Sequence, residues 1–309
     1  MVAMALLGIN GLAYSQAYSI THFTNGVVRT KPPAKLTIFE KIRILLLGVR
    51  IPKPANQKNP TYYGLDYTEL SIEVEDDVTL DAWLIRKKNP KGIAILFHGY
   101  AASMESNLTR AVLFRDIGYD TLLVDFRGSG RSTKSYTSLG YAESRDVQAT
   151  IRYVHEKLDM RKIVLFGQSL GAVAIMTALQ DQSTQVQSII LECPFDKLIS
   201  TTKNRFYAMR IPSFPFAELL VFWGSIIHGY NGFDHNPSSY ALKIKVPTLL
   251  LHGATDARVR VKEAKSIFAN LAGEKSFYLF RDSGHNIDVI KFEKEWKTIV
   301  ARFLREAEV

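Results

Sequence analysis

The chain has 309 residues, 47% of them hydrophobic and 22% charged. That balance suits a folded domain and excludes a disordered tail, a collagen-like fibre or a multi-span membrane protein. The net charge is +9, but eight of the cations fall in residues 1–60 against one anion, Glu40, and the near-neutral remainder argues against a nucleic-acid partner.

Residues 1–28 carry no Lys, Arg, Asp or Glu, a stretch long enough to span a bilayer but diluted by Asn10, Ser15, Gln16 and Ser19. A secretory signal with a cleavage site at Ala13-Tyr14-Ser15 is the competing reading, but no cation precedes the apolar stretch. The cations follow it, which by the positive-inside rule keeps the next domain in the cytoplasm. We therefore expect a membrane-associated N-terminus, with an exported or a soluble cytoplasmic chain as the alternatives. Residues 36–51 mix apolar positions with cations, as in a helix lying at an anionic membrane surface or one packed on the main domain. Pro52, Pro54 and Pro60 end that helix and lead into a main domain at residues 61–309.

Residues 67–74 and 79–85 read as an antiparallel hairpin around Asp76-Asp77. Short continuous apolar runs follow at 93–97, 121–124, 162–166, 188–191, 247–251 and 276–280, the pattern of strands buried on both faces. Helical spacing marks 143–158, 261–271 and 292–304. Alternating strands and helices make an α/β layered fold, with the strand C-termini along one ligand-binding edge. Residues 195–246 are too long for a simple crossover and read as an insertion with its own helices, hung over that edge as a lid. The insertion is rich in aromatics, including Phe206, Tyr207, Phe214, Phe216, Phe222, Trp223 and Tyr230. For any one of them ordinary core packing is the expected role.

Gly167-Gln168-Ser169-Leu170-Gly171 lies between a strand and a helix, where a sharp turn strains the middle residue and leaves room only for glycine two positions away. A serine hydroxyl there needs a base. Of seven histidines, His285 follows Ser169 in the chain and lies in a loop after the last strand. Asp256, just past the 247–251 strand, supplies the carboxylate that orients the imidazole, in the chain order Ser, Asp, His. Asp196 is the competing acid, and Asp282 and Asp288 read as turn or cap residues. The backbone N–H groups of Tyr100 and Leu170 are the expected oxyanion donors, and His98 the residue that ties their loop together. This chemistry needs no metal and no organic cofactor, and the single cysteine, Cys193, excludes an internal disulfide or a cysteine-built metal cluster.

Phe97-His98-Gly99, Asp125-Phe126-Arg127-Gly128-Ser129-Gly130-Arg131-Ser132, the Ser169 pentapeptide, His252-Gly253-Ala254-Thr255-Asp256 and Gly284-His285 occur in this order. Together they resemble the α/β-hydrolase superfamily, in the branch of serine aminopeptidases and monoacylglycerol lipases, over roughly residues 67–304. The resemblance implies an α/β-hydrolase fold: a mostly parallel eight-stranded sheet, helices on both faces and a short helical lid insertion, with Ser169, Asp256 and His285 as triad. Relatives often carry Val-Pro after the acid where this chain runs Ala257-Arg258-Val259-Arg260, which puts the local shape of that loop in question but not the triad. The expected activity is hydrolysis of a carboxylic ester, thioester or amide through an acyl-enzyme, on a small-molecule acyl substrate of lipid-like character. Acyl transfer on the same triad and a non-catalytic binding role are the alternatives.

Overall fold

The computed structural model describes residues 2–26, 28–30, 37–181 and 185–308. Lys31, Lys35 and Leu36, counted above in the basic N-terminal region, lie outside the described residues.

Five apolar runs form the centre of one sheet: β3 (Ile93–Phe97), β4 (Asp120–Val124), β5 (Ile163–Gln168), β6 (Ser188–Glu192) and β7 (Thr248–Gly253), in which every residue is buried. Strands buried on both faces have no use for alternation, which is why their sequences read as continuous apolar runs. With the hairpin β1 (Thr68–Glu75) and β2 (Val78–Ile85) and the far strand β8 (Lys275–Phe280), the sheet has eight strands in the order β1-β2-β4-β3-β5-β6-β7-β8. The pairs β1/β2 and β2/β4 are antiparallel and all others parallel.

On one face, α4 (Glu143–Lys157), α5 (Leu170–Leu179) and α9 (Val261–Asn270) bury Val147, Ile151, Ile175 and Ile267 against the strands. On the other, α3 (Leu108–Ile117) and α10 (Glu293–Glu306) bury Phe114, Trp296 and Val300. Each such side chain withdrawn from water stabilises the fold by about 1.5–3 kcal/mol. The crossovers bring the ends of β3, β5, β6, β7 and β8 to one rim, and the site is built there.

The insertion after β6 folds into α6 (Leu198–Ala208), α7 (Phe216–His228) and the single turn α8 (Pro237–Tyr240). Core packing of its aromatics, expected above, does not hold. Phe214 is 74% exposed, and Tyr207, Phe216 and Phe222 are exposed as well. Phe206, Trp223 and Tyr230 are only half-buried. These helices stand outside the two layers that flank the sheet, so most of their surface has nothing to pack against.

Helix α1 (Val2–Thr21) lies on α7 with its small residues Ala13 and Ala17 buried. The Tyr14 ring meets Trp223 edge-on at 5.5 Å, and the Trp223 indole N–H donates to Asn10 Oδ1 at 3.2 Å. After α1 the chain pairs His22 with Tyr136 and Thr24 with Pro52 in isolated bridges. Lys53 Nζ then donates to the Ser132 and Lys134 carbonyls, and Asn56 Nδ2 to Asp125 Oδ2 at 2.6 Å. The segment before β1 is thus tied at two places, residues 21–23 and 53–56, to β4's end and the loop that follows it. Among the described residues no helix is long and apolar enough to cross a membrane.

Candidate active site

Ser169 is the turn between β5 and α5, with φ 51° and ψ −108°, a backbone region that a non-glycine residue occupies only under strain. The flanking glycines have a steric reason. A Cβ at position 167 would lie 2.5 Å from the Ala172 nitrogen, and one at 171 would lie 2.5 Å from the Phe97 carbonyl oxygen. The turn is therefore pressed between its own helix and the end of β3, and the Ser169 side chain stands at the rim, half-exposed.

His285 reaches the serine from the loop after β8. The Ser169 hydroxyl donates to His285 Nε2 at 2.9 Å, and His285 Nδ1–H donates to Asp256 Oδ2 at 2.7 Å. Asp256 is fully satisfied on its other side, where Oδ1 accepts the N–H groups of Arg258 at 2.8 Å and Val259 at 3.0 Å. Burial pushes the Asp256 carboxyl up, but the His285 hydrogen bond and charge and these two N–H groups outweigh it and hold it below its ordinary value. The loop of Ala257-Arg258-Val259-Arg260 thus turns back on Asp256 through the Arg258 and Val259 N–H groups. The carboxylate bonded to the imidazole is that of Asp256, and Asp196 makes no hydrogen bond or ion pair with His285. It faces Glu263 at the foot of α6, and burial together with the Asp196 charge pushes Glu263 up to about 7. Asp288 accepts from the N–H groups of Ile290 and Lys291, as a turn residue does.

The loop after β3 lies beside Ser169, since a Cβ at position 99 would be 3.7 Å from Ser169 Cβ. His98 holds this loop from both ring nitrogens, donating from Nδ1 to the Gly99 carbonyl at 2.8 Å and accepting the Phe126 N–H at Nε2 at 3.1 Å. Its burial drives the imidazole down to about 4, so it stays neutral and its tautomer is set by these two bonds. Because the Gly99 carbonyl and the Tyr100 N–H point opposite ways in one trans peptide, the bond to His98 also aims the Tyr100 N–H. Neither the Tyr100 nor the Leu170 N–H donates to an acceptor among the described residues. In Leu170 this follows from its place at the first turn of α5.

Three features beneath and above the rim carry no signature in the sequence. Arg110, in the first turn of α3, is buried and bonds Glu192 at 2.5 Å and the Ile287 carbonyl at 3.2 Å. Glu192 also accepts from Gln168 at 3.2 Å, so one guanidinium joins the residue before Ser169 to the loop of His285. Helix α6 spans the site from above: Asn204 donates to the Arg258 carbonyl at 3.1 Å, and the Arg205 guanidinium stands 5.5 Å from the Tyr100 ring. The third is the end of α1, whose Ile20 carbonyl accepts the Tyr100 hydroxyl at 2.6 Å.

Cys193, Asp256 and His285 bring one sulfur, one oxygen and one nitrogen within 4.8 Å of one another. These are donor types that zinc accepts, but only as thiolate and free imidazole. Here burial, with Glu192 and Asp256 nearby, pushes the Cys193 thiol well up, and His285 already shares both ring nitrogens. The trio does not fit a metal.

The sheet, the strained serine at a strand-to-helix turn and the imidazole facing it are those of a serine hydrolase of the α/β-hydrolase type. The model of the prolyl oligopeptidase family matches residues 105–308, and the chain belongs to that family. Among its relatives, Bacillus subtilis YqkD is 27% identical over 68% of this chain and 70% of its own length. A Xenopus tropicalis lysophosphatidylserine lipase, ABHD12, is 22% identical over 82% of this chain and 69% of its own. In fold the chain is similar to a Pyrococcus furiosus esterase, with a TM-score of 0.68, 23% identity, and coverage of 82% of this chain and 96% of that one.

Proposed function

We propose that the chain hydrolyses a carboxylic ester with an apolar acyl group, through Ser169 as nucleophile, His285 as base and Asp256 as the residue that orients it. The observation that carries this reading is the unbroken hydrogen-bond series Ser169 Oγ, His285 Nε2, His285 Nδ1, Asp256 Oδ2, at 2.9 and 2.7 Å. The Ser169 oxygen attacks the acyl carbon as its proton passes to His285 Nε2, and the anionic Asp256 stabilises the imidazolium that results. The developing oxyanion accepts from the Tyr100 and Leu170 N–H groups. His285 then returns the proton to the leaving alkoxide, which departs as alcohol and leaves the acyl group on Ser169. In the second half water gives its proton to His285 and its oxygen to the acyl carbon, and Ser169 is released with the acid. No step asks for a metal or an organic cofactor. The name of the lipase relative and the exposed aromatics of the lid support an apolar acyl group.

The test is a fluorophosphonate probe beside a panel of acyl esters of graded chain length and aminoacyl arylamides. The expected result is labelling that disappears in Ser169→Ala, with turnover rising along the ester series. Labelling that survives Ser169→Ala removes the nucleophile assignment, and turnover of the arylamides alone replaces the ester reading with a peptidase.

A further inference from the structure

Helix α2 (Ile38–Leu47) poses a problem that the catalytic site does not solve. It has ten residues, IFEKIRILLL, and none of them is buried. Phe39 is 80% exposed and Leu47 67%, with Leu45 and Leu46 above half. On α1, Met4 and Leu7 are exposed at 77% and 73%. The two helices form one unit, because Gln16 Nε2 donates to the Ile44 and Leu45 carbonyls at the end of α2, and the Val49 N–H donates to Ser19 Oγ. Through Trp223 the unit continues onto the lid helix α7, where Phe222 and Ile226 are also exposed. An apolar surface shared by three helices exceeds the scattered exposed side chains of an ordinary soluble protein, and such patches mark interaction sites.

Charge identifies what covers it. Lys41 and Arg43 on α2 and Arg50 just beyond it are all exposed, and Glu40, the sole acid in residues 2–60, is bound into the cap of α2 with Thr37. Apolar side chains ringed by cations are complementary to an anionic bilayer, whose acyl boundary takes the former and whose headgroups take the latter. A protein partner for an apolar groove does not ask for a ring of cations. Neither α1 nor α2 spans, since no described helix is long and apolar enough.

We propose that α1, α2 and the outer side of α7 are a docking face for an anionic lipid bilayer, on which the protein lies peripherally. The end of this unit is also a wall of the catalytic rim, through the Ile20 carbonyl on the Tyr100 hydroxyl and the Phe23 ring 6.5 Å from that of Tyr100. The docked face thus sets the Ser169 site at the membrane surface, where acyl lipid is delivered. In this purpose the inference rests on the ester-hydrolase reading; the docking itself does not need turnover.

The experiment uses the full chain carrying Ser169→Ala, sedimented with vesicles of phosphatidylcholine alone and of phosphatidylcholine mixed with phosphatidylglycerol. Two further chains add Phe39→Ser with Leu46→Ser, or Lys41→Glu with Arg43→Glu; all four side chains are exposed, and thermal unfolding checks each fold. The expected result is binding that prefers the anionic vesicles and weakens with salt. It should fall by about tenfold or more in the apolar pair, and lose its preference for phosphatidylglycerol in the charge-reversed pair. Absence of vesicle binding, or equal binding by all three chains, overturns the proposal. Self-association without vesicles that the apolar pair abolishes also overturns it, by giving the face to a second copy of the chain. Ester turnover by the unsubstituted chain in vesicle-free solution, measured separately, reports on the catalytic reading alone.

Discussion

Helices α5 and α2 are each ten residues long and strongly apolar, and they have opposite fates. Every residue of α5 is buried, and none of α2 is. The difference lies in what each is attached to. Helix α5 leaves β5 and is laid back on the sheet by a parallel crossover, so strands close one side of it and α4 another. Helix α2 follows α1, touches it only near one end, and has no sheet above or below. Hydrophobic content alone states that a segment seeks an apolar surface; topology decides whether the protein supplies it.

The same contrast divides the rim that holds Ser169, His285 and Asp256, whose groups are set by buried strands, from the outer face of α1, α2 and α7, whose groups are set by exposed helices. Substitutions on the two sides should differ accordingly. The largest effect belongs to the rim. Asp256→Asn should lower ester turnover by roughly 10⁴-fold, as expected when an orienting carboxylate loses its charge, while Asp196→Asn leaves most activity in place. Steady-state kinetics on both variants would check this, and the reverse outcome would transfer the acid role to Asp196.

Next in size is the pair Ile175→Ala in α5 and Ile42→Ala in α2. The first empties a fully buried position and should cost about 2–5 kcal/mol in denaturant unfolding, whereas the second should fall within about 0.5 kcal/mol of the parent. Equal losses would erase the distinction between the two helices. At the seam between the regions, Tyr100→Phe removes the hydroxyl that bonds the Ile20 carbonyl and should cost about 0.5–1.5 kcal/mol. Hydrogen exchange at α1 should rise in that variant while exchange in β5 stays unchanged.

A further effect is pH-dependent. The rings of His22 and His228 stack 5.6 Å apart between α1 and α7, and burial lowers His228 to about 4 from 6.5. Below pH 6.5 the unfolded chain takes up this proton before the folded one, so the stability tied to a neutral His228 is lost as pH falls toward 4. Buried Asp125 and Asp146, pushed by burial up to about 7, act in the opposite sense over the same interval and blunt the total. The difference between parent and His228→Asn isolates the histidine. The melting temperature of the variant relative to the parent should rise between about pH 7 and pH 5, and a flat difference would remove this linkage.

Much of the rim is legible in the chain because its rules are local. Gly167 and Gly171 announce the turn at Ser169 through the space they leave, and His285 and Asp256 announce themselves by following strand ends. The continuous apolar runs mark central strands for the same reason, since burial on both faces removes alternation. Other features carry no local rule. Arg110 has no local signature, and only the fold brings it against Glu192 and the loop of His285. The lid aromatics read as core because apolar side chains usually are, and most are exposed because only α1 lies over α7 and it leaves the rest of these helices uncovered.

The order of motifs along the chain and the period of its apolar runs determined the layered sheet and the rim on which its reactive side chains stand, because strand and turn chemistry act over a few residues. Which apolar segments find cover was decided by the tertiary structure alone. Burial depends on what another part of the chain brings alongside, and two helices of equal length, each mostly apolar, were assigned opposite surroundings by their connections.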